Sequence, residues 1–142
     1  MSYDLKIVKG DLVLNSNGAL ETVERSKKIR QDILKILLTD IGENKMHPYY
    51  GSKAGKLDIG SILSEDFFKN KLEQSIAEAI NNLIALQRNQ SKYQYVSPAE
   101  TLLSINSIEA YRDDNDPRMW SIFISLITLK QEEITESITI RI

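Results

Sequence analysis

The single histidine of the chain, His47, stands in the stretch Leu37 to Gly55, "LLTDIGENKMHPYYGSKAG". An imidazole titrates near neutral pH and suits acid–base work. His47 lacks the companions such work needs, because the chain contains no cysteine and no serine in a nucleophile pattern. A histidine before proline in a loop reads first as a partly buried turn residue. Glu43 and Asp58 are the next candidates. Glycoside hydrolysis needs two carboxyl groups facing one another across roughly 5–10 Å of open cleft. In a chain with 20 acidic residues, however, one spaced pair carries little information. The simpler expectation is that Glu43 hydrogen-bonds just past a helix end.

Other motifs give less. "GSKAGKLDIG" (Gly51 to Gly60) is glycine-rich, yet it matches neither the dinucleotide fingerprint nor the phosphate loop with its Gly-Lys-Ser/Thr ending. "DDNDP" (Asp113 to Pro117) has the charge of a calcium loop without its glycine and terminal glutamate, and reads as a solvated hairpin turn. One histidine and scattered carboxylates form no recognisable metal-ligand spacing. No catalytic, metal or cofactor site is therefore expected.

These residues must be positioned by a chain of 142 residues, which favours one domain over residues 1–142. Its composition, 42% hydrophobic and 27% charged, is that of an ordinary folded protein. A formal charge of −2 and the lack of a basic stripe argue against direct nucleic-acid binding. The absence of cysteine fits a reducing compartment or indifference to redox state. "MSYDLKIVKGD" lacks the features of a secretion signal, and no apolar run approaches the ~18–20 residues of a membrane span. A protein used in solution or in a soluble assembly is expected.

The hydrophobic pattern gives the elements. "YDLKIV", "DLVLN" and "ALETV" are short strand-like runs separated by "KGD" and "NSNG", which predicts a small β meander. From Ser26 to Ile41 the period becomes helical, with Ile29, Ile33, Ile36, Leu37 and Ile41 on one side and Lys28, Arg30, Asp32 and Lys35 on the other. Gly42 falls where a left-handed C-cap residue belongs. A second helix is predicted from a Ser64 cap to about Arg88, with Phe68, Leu72, Ile76, Ile80, Leu83 and Leu86 as its apolar stripe. "SPAE" (Ser97 to Glu100) has the capping-box pattern and predicts one or two helical turns.

The remainder reads as β. "INSIEAYR" and the turn "DDNDP" precede "MWSIFISLITL", where Ile122, Ile124 and Leu126 share one face and Phe123, Ile127 and Leu129 the other, as in a central strand. The closing "ITESITIRI" alternates, with Ile134, Ile138, Ile140 and Ile142 facing one way. The sum is an α+β domain, its two helices packed on one face of a largely antiparallel sheet that ends in a three-stranded meander. An outer edge of the last strand must be covered by another strand of the domain or completed by a partner. The sequence leaves both open.

"IRQDILKILLTDIGE" followed by "MHPYYGS" resembles the signature of the gene-twenty-five-like, or GPW-type, baseplate wedge family of contractile phage tails and type VI secretion baseplates. The matching positions are Ile29, Ile33, Leu37, Thr39, Gly42, Glu43, Met46, Pro48, Tyr50, Gly51 and Ser52, and the order of later elements agrees from about Val23 to Ile142. Two positions depart from the family pattern. Asn44 replaces an arginine common after Gly-Glu, and Glu100 is followed by Thr101 and Leu102 rather than Pro-Arg. The resemblance implies assembly rather than catalysis, in a virion tail baseplate put together in the host cytoplasm. The implied partners are larger wedge subunits, the tail sheath protein and the tail tube or hub, with six copies around the tube. It also implies that a sheath strand completes the edge of the last strand, around Ile138, Ile140 and Ile142. Some members carry a lysozyme label, for which the residues here give no independent support.

On this reading Gly42, Glu43, Pro48, Tyr49, Tyr50 and Gly51 form a corner that fits the domain to its neighbours. Pro48 restricts His47 to extended conformations, Gly51 allows a close backbone approach, and the two tyrosines are anchor residues. Glu100 joins them as a partner contact. The alternative function is a cell-wall (peptidoglycan) glycosidase built on Glu43 and Asp58.

Overall fold

The computed structural model describes residues 3–57 and 64–141. Asp58 and Ile142 lie outside the described residues. The chain begins with two small antiparallel pairs. Strands β1 (Tyr3–Leu5) and β4 (Thr22–Glu24) pair with each other, and β2 (Ile7–Val8) pairs with β3 (Asp11–Leu12). Lys9 and Gly10 close the inner hairpin with φ of +52° and +83°. Two positive φ values in a two-residue turn match the right-handed strand twist. The short strands are as expected, but they form two separate pairs and do not join the main sheet.

Helix α1 (Arg25–Leu38) buries Ile29, Ile33, Ile36 and Leu37, as its period predicts. Its polar side is less exposed than the pattern implies, for Lys28 is buried too. The helix ends four residues before Gly42. Thr39 turns extended, and both its N–H and its hydroxyl donate to the Lys35 carbonyl, at 3.1 and 2.6 Å. Gly42, φ +88°, serves a turn that Glu43 N–H closes onto Asp40 O at 3.1 Å. It is therefore not the helix cap.

Helix α2 (Glu65–Gln90) starts from Ser64, whose hydroxyl accepts from Phe67 N–H at 3.3 Å. Glu65 and Asp66 in its first turn complement the positive end of the helix dipole. Leu72, Ile76 and Ile80 are fully buried along its length. "SPAE" forms a single 3-10 turn at Pro98–Glu100, shorter than a helix of two turns.

The main sheet has the order β5-β6-β7, from β5 (Leu102–Arg112), β6 (Met119–Thr128) and β7 (Glu133–Arg141), all antiparallel. The fold is α+β. Ile122, Ile124 and Leu126 of the central strand meet the helices and are buried. The opposite face of β6 is only partly covered: Phe123 is 49% exposed and Ile127 half-buried although Ser125 is buried, and Leu129 just past the strand is exposed. Apolar residues on both faces therefore mark a centrally paired strand, while only one face carries helices. Fully burying each isoleucine or leucine of this layer contributes roughly 1.5–3 kcal/mol.

Candidate functional site

The loop after α1 is built around a close backbone crossing. Ser52 N–H donates to Thr39 O at 2.8 Å and Ile41 N–H to Ser52 O at 3.1 Å, a short parallel bridge. Gly51 lies against that bridge with φ +120°, and a Cβ there would sit 2.6 Å from the Thr39 carbonyl oxygen. Any side chain would collide with backbone, so glycine is required. Between the two strands of the bridge, Asn44 Oδ1 accepts from Met46 and His47 N–H at 3.0 and 3.2 Å. Tyr50 N–H then closes a turn onto His47 O at 2.9 Å, with Pro48 and Tyr49 at its exposed tip. Asn44 thus has an internal use as a turn residue.

The two tyrosines part company. Tyr49 is half exposed, its ring edge-on to His47 at 5.8 Å and its hydroxyl 3.3 Å from His47 Nδ1. Tyr50 packs against the core, and burial raises its hydroxyl pKa. Glu43 is exposed on its turn and lines none of the cavities found among the described residues.

Glu100 lies elsewhere and is buried. Its carboxylate accepts from Arg25 N–H at 2.9 Å and from Ser97 N–H at 3.2 Å. Burial pushes its pKa up, but these donors and the charge of Lys28 outweigh it, and the net shift is downward. Arg25 has φ +53°, so the carboxylate helps hold a left-handed residue at the strand-to-helix junction. Both of its oxygens are occupied within the chain.

A polar groove of about 620 Å³ lies between β1, α1, α2 and Tyr50. The spacing of residues gave no hint of it. Lys28 pairs with Asp32 at 2.7 Å, and Lys35 bridges Asp4 at 2.6 Å and Asp32 at 3.8 Å. Burial opposes charge on Asp4, yet Lys35, Leu5 N–H and Gln31 lower its pKa overall. Burial likewise opposes charge on Lys35, and Asp4 with Asp32 raises its pKa overall. Both groups stay charged at neutral pH, so the pair forms an ionic clamp with no proton poised for transfer. Among the described residues, no group of three or more His, Asp or Glu side chains could hold a metal ion.

The last strand supplies the other half of the expected surface. Ile138 is buried and Ile140 half-buried on the helix side of β7. No strand of the described residues pairs with its outer edge, and the N-terminal pairs sit against α1 instead. One contact went unforeseen. Arg30 Nη1 donates to the Thr135 carbonyl at 2.9 Å and to Glu136 Oε1 at 2.5 Å. The loop and β7 therefore meet different ends of α1, about 12 Å of helix rise separating Arg30 from Leu38.

No family model matches the chain, and no curated protein matches it. The fold is similar to that of a protein from Geobacter sulfurreducens whose crystal structure is described as a "putative tail lysozyme". The two agree with a TM-score of 0.60 over 93% of this chain and 96% of the other, at 16% sequence identity. At that identity the fold is what they share. Among the described residues, no helix is long and apolar enough to cross a membrane.

Proposed function

We propose that this chain is a structural protein of a contractile phage tail or a related injection machine. In that role it sits in the baseplate, links wedge subunits, and starts the first sheath ring by accepting a strand at β7. The observation that carries this reading is the outer edge of β7, with which no strand of the described residues pairs and which offers main-chain donors and acceptors beside a partly open apolar row. Two further points support it. The corner motif from Thr39 to Ser52 resembles that of baseplate wedge proteins, and the fold is shared with a protein described as belonging to a tail. The expected partners are a sheath protein and larger wedge subunits, with the tail tube or hub nearby.

A second reading, hydrolysis of cell-wall glycan, draws on the lysozyme description of that structural neighbour. It requires a carboxylic acid with a raised pKa facing a second carboxylate. Of the pair it would use, Glu43 lies on an open turn and lines none of the cavities found among the described residues, and Asp58 lies outside those residues. These features favour the structural role.

The test is cross-linking mass spectrometry on purified tails from the source. Lys130 is an exposed handle at the β6–β7 turn. Links from Lys130 to a sheath or wedge protein are the expected result. Absence of the chain from purified tails overturns the proposal, and peptidoglycan turnover then becomes the next assay.

A further inference from the structure

Backbone phase along β7 is set by its hairpin with β6. Thr128 N–H donates to Glu132 O at 3.0 Å, which makes Thr128 and Glu132 a hydrogen-bonded pair. The register runs on through Leu126↔Ile134, Ile122↔Ile138 and Trp120↔Ile140. Hydrogen-bonded and non-bonded pairs alternate in an antiparallel ladder. The even-numbered residues of β7 therefore bond to β6. Glu133, Thr135, Ser137, Thr139 and Arg141 turn their N–H and C=O groups outward. The Arg30 contact agrees, since the carbonyl it reaches belongs to Thr135.

That contact splits the edge. The Arg30 guanidinium occupies the place where an added strand would bring its N–H to Thr135 O. It is also held there by Glu136, whose side chain is only 16% exposed. Beyond Glu136 the edge changes. Among the described residues nothing bonds to the outward groups of Ser137, Thr139 or Arg141, and the inner row there ends in half-buried Ile140.

We propose that Arg30 divides the free edge of β7: Glu133–Glu136 is closed to pairing, and Ser137–Arg141 receives an extended segment of another protein. This rests on the strand-addition reading and specifies its site and length. The segment pairs along about 17 Å of edge. It alternates, with apolar side chains continuing the row of Ile138 and Ile140 and polar ones on the open face beside Ser137 and Thr139. The apolar requirement follows from Ile140, which packs against the core yet is only half-buried.

The experiment uses the full-length chain, labelled with ¹⁵N, and a synthetic peptide, Lys-Thr-Val-Thr-Val-Thr-Lys, at millimolar concentration. The expected result is a response at the amides of Ser137, Thr139 and Arg141, with Glu133 and Thr135 unchanged. Arg30→Ala extends the response to Thr135 and Glu133. Thr139→Pro removes an outward N–H and weakens binding by about tenfold or more, whereas Thr135→Pro leaves it intact. If Thr139→Pro perturbs the remaining spectrum, Arg141→Pro at the strand end asks the same question. Equal responses along the whole edge of the unsubstituted chain overturn the division, as does an unchanged pattern in Arg30→Ala. No response anywhere overturns the site itself. Self-association through these same amides, with the peptide excluded, assigns the edge to a second copy and overturns the proposed occupant. The peptide assay needs no tail protein. A chain absent from purified tails would therefore end the tail reading and leave this result standing, and a negative peptide result would do the reverse.

Discussion

The two outer edges of the sheet are treated differently by the same pair of helices. Along β5, α2 supplies side chains to the backbone at both ends. Glu73 accepts from Ala110 N–H at 3.0 Å, and Gln87 accepts from Leu102 N–H at 2.8 Å while donating to Glu100 O at 3.2 Å. Thr101 O takes a further bond from Leu129 N–H at 2.9 Å, so the root of β5 is tied down inside the protein. Along β7, α1 contributes Arg30 alone among the described residues, from a side chain 45% exposed. Two N–H groups of β5 are thus met by α2 side chains, whereas among the described residues α1 meets one outward carbonyl of β7. An unpaired β edge is a liability in a protein that works alone. It is an asset in one that works as part of an assembly.

That contrast can be broken most severely at Ile138. Its N–H bonds to β6, so Ile138→Pro costs more than about 3 kcal/mol, whereas the outward-facing Thr139→Pro costs less than about 1 kcal/mol. Thermal denaturation of the two variants side by side checks the assignment of phase, and equal losses would refute it.

Next is Gln87→Ala, which leaves Leu102 N–H and Glu100 O buried without partners. The expected loss is about 3 kcal/mol, with a melting temperature lowered by on the order of 10 °C. A loss no larger than that of a surface substitution would mean that Gln87 does not tie down the start of β5 as described.

Glu100→Gln should cost about 1–2 kcal/mol at neutral pH by weakening the bonds to Arg25 and Ser97 N–H. The folded-state pKa of Glu100 lies below its ordinary 4.5. Its contribution is thus fully present above about pH 4.5 and is lost as pH falls through the folded value. The stability gap between wild type and Glu100→Gln narrows in that acid range, as urea titrations at a series of pH values would show.

The smallest effect belongs to Arg30→Ala. A half-exposed ion pair is worth under about 1 kcal/mol, so this variant should melt close to wild type. A large loss would make Arg30 a structural bolt and not a divider of the edge.

Much of this frame is legible in the sequence because it depends on local period. Ile29, Ile33 and Ile36 announce α1, Ser64 with Glu65 and Asp66 announces the start of α2, and alternation fixes which residues of β7 face the core. Failures come where distance along the chain matters. Thr39 ends α1 because its carbonyl is required by Ser52, so Gly42 is free to serve a later turn. Phe123 and Ile127 look like core residues, since alternation records polarity and not what lies opposite. The meeting of Arg30 with Thr135 spans 105 residues and leaves no local trace. The corner residues were legible as a corner. That Tyr49 faces solvent while Tyr50 turns inward depends on how the chain folds back onto α1.

The N-terminal strands have a consequence of their own. From Tyr3 to Glu24 only Val23 is buried. The module is fastened mainly through polar hooks on α1. Gln31 bonds to Ile7 N–H at 2.9 Å and Leu5 O at 2.7 Å, and Lys35 pairs with Asp4 at 2.6 Å. Such an attachment can release without opening the core, so this segment behaves as a separate low-cost unfolding unit. Its amides should exchange with solvent long before those of α2. Acid that protonates Asp4 weakens the clasp further, giving the chain a detachable collar on a rigid body.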